Sequence, residues 1–202
     1  MMNRGFTLVE ILVVIGITAI IGTIMVAIFT NTLRGSNKSQ ILAIIKQNGQ
    51  AVLENMDKTI RGADNVVCPT SGSSNTLVII QNGIYTRYRI VLPTDSTGSA
   101  PSSCIGTGKN GCIIWENLTL QATEVTPQLC NPTNLMSAAQ VSTDTNTQLG
   151  VSVSSGSFSV SQPPGYKAAV TVNFELGAAV GLPPVSTSQI DPVVFQTTVQ
   201  LR

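Results

Sequence analysis

"RGFTLVEILVVIGITAIIGTIMVAIF" (residues 4–29) decides the architecture of this chain. From Phe6 to Phe29 the one ionisable side chain is Glu10, and most of the rest is Ile, Val, Ala, Gly and Thr. A helix of that length spans about 36 Å, enough to cross a hydrocarbon core of about 30 Å. A cleaved secretory signal is the competing reading, with an apolar core of about 7–15 residues and a small-residue site of the A-x-A kind after it. Here the run is longer and no such site ends it. The residues that follow, "TNTLRGSNKSQILAIIKQNGQAVLENMDKTIRG" (30–62), keep a helical pattern. Ile41, Ile44, Ile45, Val52, Met56 and Ile60 recur mostly at spacings of three, four or seven and mark one amphipathic face. The apolar run therefore reads as the retained first half of a long helix. Gly35 and Gly49 read as its weak points, each costing about 1 kcal/mol relative to Ala.

Glu10 is the residue that needs a reason. An acidic side chain at the centre of a membrane helix costs about 2.5–3.5 kcal/mol on insertion scales, so a carboxylate there usually marks function. Taken alone, it reads equally well as a residue near the headgroups of a plain single-span anchor.

The residues around it resemble a known family. "RGFTLVE" followed by an unbroken apolar helix is similar to the N-terminal signal of type IV pilins and type II secretion pseudopilins. The resemblance is specific over residues 4–30 and general beyond them. It implies that a membrane prepilin peptidase cuts after Gly5, methylates the new N-terminal residue Phe6, and leaves "MMNRG" (1–5) as the leader. It also implies a partner for Glu10, the N-terminal ammonium of Phe6 on a neighbouring subunit. Opposite charges about 4 Å apart attract by roughly 4 kcal/mol at an effective dielectric of 20. An ammonium at a helix N-terminus also opposes the helix dipole, which a carboxylate there relieves. One count runs the other way: Arg4 precedes the segment while Arg34 and Lys38 follow it, which the positive-inside rule reads as the reverse orientation. The leader motif is the more specific signal.

After Gly62 the composition shifts to Ser, Thr, Asn, Gly and Pro, and strand alternation replaces the helical period. "TLVII" (76–80) and "IYTRYRIVL" (84–92) flank an Asn-Gly turn signal. Residues 112–125, 149–162, 166–176 and 193–202 read as further strands, and "VSVSSGSFSVS" (151–161) as a strand pair with one wet face. "PTDSTGSAPSS" (93–103) and "GLPPVSTSQIDP" (181–192) read as loops. The expected fold is α+β, with the second half of the helix packed on an antiparallel sheet. The expected organisation is leader 1–5, transmembrane half 6–29, amphipathic half 30–61 and an extracytoplasmic head 62–202. About 140 residues outside the helix suffice for one core.

Cys68, Cys104, Cys112 and Cys130 all follow the apolar segment. An even count in an exported, loop-rich domain suggests two disulfides, and four cysteines permit three pairings. The loop "CIGTGKNGC" favours Cys104–Cys112, leaving Cys68–Cys130. Loop closure gives roughly 2.6 kcal/mol for the short ring and 4.3 kcal/mol for the long one. A zinc site would want closer C-x2–4-C pairs.

Other chemistry is poorly supported. The formal charge is +1, only 10% of residues are charged and 4% aromatic, which leaves no electrostatic footprint for nucleic acid. With no histidine, no Ser-His or Cys-His pair exists, and no carboxylates cluster closely in sequence. "GTGKNG" (106–111) misses a P-loop, having Ser103 and Asn110 where Gly and Ser or Thr are needed. Tyr85, Arg87 and Arg89 share one strand face and suggest either a small adhesive patch or, more commonly, cross-strand packing. No enzyme, cofactor or metal is expected.

Many major pilins carry a proline in the apolar helix. This chain has Ala27 there, and its first proline is Pro69, which favours a pseudopilin or minor pilin. "QAVLENMDKTIRGADNV" (50–66) and the ending "FQTTVQLR" are similar to minor subunits of the J or W type. The resemblance implies sister subunits, the peptidase and an inner-membrane assembly platform as partners. Nucleic acid would enter only through a DNA-uptake filament. The location implied is the bacterial inner membrane, single-pass with the C-terminal domain outside the cytoplasm, and then the filament. A major pilin, or a solitary membrane-anchored binding domain, are the alternatives.

Overall fold

The computed structural model describes residues 7–70, 72–95, 101–118, 130, 139–183 and 190–202. The chain forms two units, Met1–Gln40 and Ile41–Arg202. Helix α1 runs Leu8–Arg61, beginning in the first unit and ending in the second. The fold is α+β: one long N-terminal helix and antiparallel sheets.

In the first unit the large side chains from Leu8 to Phe29 are between 47% (Ile21) and 78% (Leu8) exposed among the described residues. The polar side chains among them are quiet. Thr18, Thr23 and Thr30 turn their hydroxyls back to helix carbonyls three or four residues earlier, at 2.8–3.0 Å. Their donors are thus satisfied without water, and the segment is long and apolar enough to cross a membrane.

In the second unit the buried face of α1 is Ile45, Gly49, Val52, Met56 and Ile60, a stripe at the 3.6-residue period. Strands β1 (Asn65–Cys68), β3 (Thr76–Gln81), β4 (Ile84–Val91), β5 (Cys112–Leu118) and β6 (Gln140–Val141) form one sheet in the order β1-β3-β4-β5-β6. Strands β2 (Ser73–Ser74), β7 (Val151–Ser161), β8 (Ala169–Ala178) and β9 (Val193–Gln200) form a second, in the order β2-β7-β8-β9. The strands thus divide between two sheets, where the sequence suggested one. The helix stripe shares a single core with Leu77, Ile79, Tyr88, Ile90 and Ile113 of the first sheet and with Phe158, Val170, Val172, Phe174 and Val199 of the second. Each large aliphatic side chain fully buried there contributes about 1.5–3 kcal/mol.

Local rules account for the pieces. Asn82 and Gly83 both have positive φ, 49° and 78°, as the two-residue turn between β3 and β4 requires. Strand β8 alternates inward Val170, Val172, Phe174 and Leu176 with Thr171, Asn173 and Glu175 on the outer side. Strand β7 is one continuous strand rather than a strand pair. Its register shifts between Val153 and Ser155, which returns Phe158 to the core face.

Gly49 is not a weak point. A Cβ built there would fall well inside van der Waals distance of the Phe195 ring, which stacks on Phe174 at 5.4 Å and 19°. We therefore predict that Gly49→Ala destabilises the folded chain by about 1–3 kcal/mol through overpacking, although Ala is the better helix former. Thermal denaturation followed by circular dichroism checks this. A raised midpoint would show that the ring yields and that helix propensity decides.

Candidate functional site

Thr7 opens α1. Its hydroxyl accepts the Glu10 N–H at 3.3 Å, and its carbonyl accepts the N–H groups of Glu10 and Ile11 at 3.1 and 3.3 Å. Thr7 is thus the N-cap and Glu10 the third helical residue, in the T-x-x-E spacing of a capping box. Glu10 lies in the first turn, where the helix dipole favours a negative charge, and its side chain is exposed. It is the single charged residue between Thr7 and Leu33. Gly5 and Phe6 lie outside the described residues.

The strand pairing of the first sheet builds a second polar feature. Its face turned away from the helix carries Val78, Arg87 and Glu116 in one cross-strand row, and Thr76, Arg89 and Ile114 in the next. The Arg87 Nε–H donates to Glu116 Oε1 at 2.7 Å, with both side chains fully buried. Arg89 is 2% exposed, and its Nε and Nη1, like Glu116 Oε2, have no hydrogen-bond partner among the described residues. Burial and the neighbouring Arg87 pull the Arg89 guanidinium below its usual range, while Glu116 and Asp95 pull the other way. These arginines therefore offer no surface patch. Their strand face is inside the protein.

Two disulfides fasten chain to that face. Cys68 stands opposite Val78 in the register and is bonded to Cys130, with Cα atoms 5.9 Å apart. Cys104 is bonded to Cys112 at 5.6 Å, and both pack with Val91 and Ile114 in a cluster separate from the main core. Asn110, inside the short disulfide ring, is fully buried. Its amide donates to the carbonyls of Thr145 and Asn146 at 3.1 and 2.9 Å and accepts the Val180 N–H at 2.9 Å. The residue that breaks the P-loop pattern is a clamp between loops.

Sequence reasoning missed the Thr7 cap and the role of Glu116. The first was legible as Thr-x-x-Glu before an apolar run. The second was not, because Glu116 meets Arg87 across 29 residues of chain.

Residues 1–26 match the family described as the prokaryotic N-terminal methylation motif. No curated protein and no solved structure matches the chain.

Proposed function

We infer from this N-terminus, which is that of the type IV pilin and pseudopilin family, that the chain is a structural subunit of a pilus-like or type II secretion filament. The observation that carries the reading is the methylation motif over residues 1–26, continued by an apolar helix that is exposed among the described residues. Within that reading, a prepilin peptidase removes residues 1–5 and methylates Phe6. Glu10 then pairs with the Phe6 ammonium of a sister subunit. Residues 6–29 hold the subunit in the inner membrane until the assembly platform extracts it, and the remainder lies outside the cytoplasm. Two disulfides in the second unit support that side of the membrane, since such bonds persist in oxidising compartments. The apolar helix has Ala27 and no proline, which supports a minor subunit or pseudopilin over a major one.

Crosslinking in native membranes tests the reading. The subunit should be captured with sister subunits and recovered in the sheared filament fraction. Recovery as a solitary membrane protein, with no sister subunit crosslinked, would instead make it an anchored binding domain.

A further inference from the structure

We propose that the second unit binds a neutral oligosaccharide in the cleft between the last turns of α1 and the first sheet. The cleft measures about 570 Å³, within the usual range of about 300–1,000 Å³ for small-molecule sites. One wall is Trp115, the only tryptophan of the chain, packed on the core along one side and partly exposed on the other. A half-exposed indole in a concave site offers a rigid flat apolar surface at little entropic cost. The C–H face of a sugar ring fits such a surface.

The polar lining is amide and hydroxyl, and much of it is held in place from behind. The Tyr88 hydroxyl lies 3.2 Å from Asn55 Oδ1 and 3.1 Å from Thr59 Oγ1, fixing two α1 side chains at the rim. Burial raises the Tyr88 pKa, with the Thr59 hydrogen bond opposing it, so the hydroxyl stays neutral and able to donate. The Thr86 hydroxyl donates to Asn117 Oδ1 at 3.1 Å, which orients that amide and leaves its Nδ2 without a partner among the described residues. A primary amide is both donor and acceptor, as a sugar hydroxyl is.

Charge selects among ligands. Among the described residues no carboxylate lines the cleft, so a cation finds no counter-charge from them. Lys58 is the single cation among the described lining residues, too little for a polyanion held by many phosphate contacts. A neutral, hydroxyl-rich ligand with one apolar face is what remains. This binding needs no polymer, so it stands or falls apart from the filament reading.

The full-length protein, in a detergent without sugar headgroups, is titrated with maltotriose, cellotriose and triacetylchitotriose while Trp115 fluorescence is followed. We expect a saturable shift with at least one of the three. Asn117→Ala, at an exposed position, should bind that sugar about tenfold more weakly, the equivalent of one lost hydrogen bond. Trp115→Phe should lose the optical signal but keep a calorimetric one. No saturable response to any of the three sugars would overturn the proposal, as would equal affinity in native protein and Asn117→Ala. A response confined to inorganic phosphate and lost in Lys58→Ala would also overturn it.

Discussion

A Glu10→Gln chain should reach the membrane at its normal level, be processed, and still enter filaments at least tenfold less often than the native chain. The substitution keeps the shape of the side chain and removes its charge. No effect of that charge on the head is expected, because Glu10 lies in the first unit with its side chain exposed, and no described residue before Ile41 belongs to the core. In the membrane the carboxylate has no basic side chain in its own helix before Arg34, about 36 Å along the axis. A sister ammonium at about 4 Å and an effective dielectric of 20 would attract it by roughly 4 kcal/mol, before desolvation takes its share. Even 1.4 kcal/mol surviving that share is about a tenfold effect. Immunoblots of sheared filaments and of membranes separate assembly from expression. Equal incorporation of Glu10→Gln and native chain would reduce Glu10 to a helix-capping residue.

Glu116→Ala should destabilise the second unit by about 3–5 kcal/mol. The loss leaves Arg87 and Arg89 in one buried layer with their shared carboxylate gone. Folded domains hold only about 5–15 kcal/mol in total, so the variant would populate unfolded chain at growth temperature and be degraded. Arg89→Met should do the opposite. Two of the Arg89 nitrogens are buried without partners among the described residues, so an apolar side chain of similar length relieves their desolvation at little cost in packing. Midpoints of thermal denaturation should therefore fall for Glu116→Ala by roughly 10 °C and hold or rise for Arg89→Met. A fall of similar size in both would mean that Arg89 is as fully partnered as Arg87.

Much of this architecture is readable from local pattern. The span of α1 follows from an apolar run that passes into a 3.6-residue stripe, and the β3–β4 turn follows from Asn82-Gly83. What local pattern could not supply was long-range. Strands β2 and β6 are two residues each, too short to alternate. The division into two sheets rests on which strands pair, and β5 and β7 are consecutive long strands of different sheets. The stretch around Gly156, "VSVSSGSFSVS" (151–161), reads as a strand pair. In the structure that glycine lies mid-strand, where a Cβ would press on Ile90, Asn173 and Phe174. The Tyr-Thr-Arg-Tyr-Arg alternation of β4 allows an adhesive patch or, more commonly, cross-strand packing, and the structure has packing, with both faces buried at Arg87, Tyr88 and Arg89. At the N-terminus the chemistry expected at Gly5 and Phe6 is covalent and is written in residue order.

The intact mass of the protein taken from its native membrane tests the filament-subunit account most directly. On this account cleavage after Gly5 requires a small residue at the cut, so Gly5→Leu should provide the uncleaved reference. The account predicts that the native chain begins at Phe6, lighter than its translation product by residues 1–5 and heavier by one methyl group. A native chain that still carries residues 1–5 in cells with an active peptidase would contradict it.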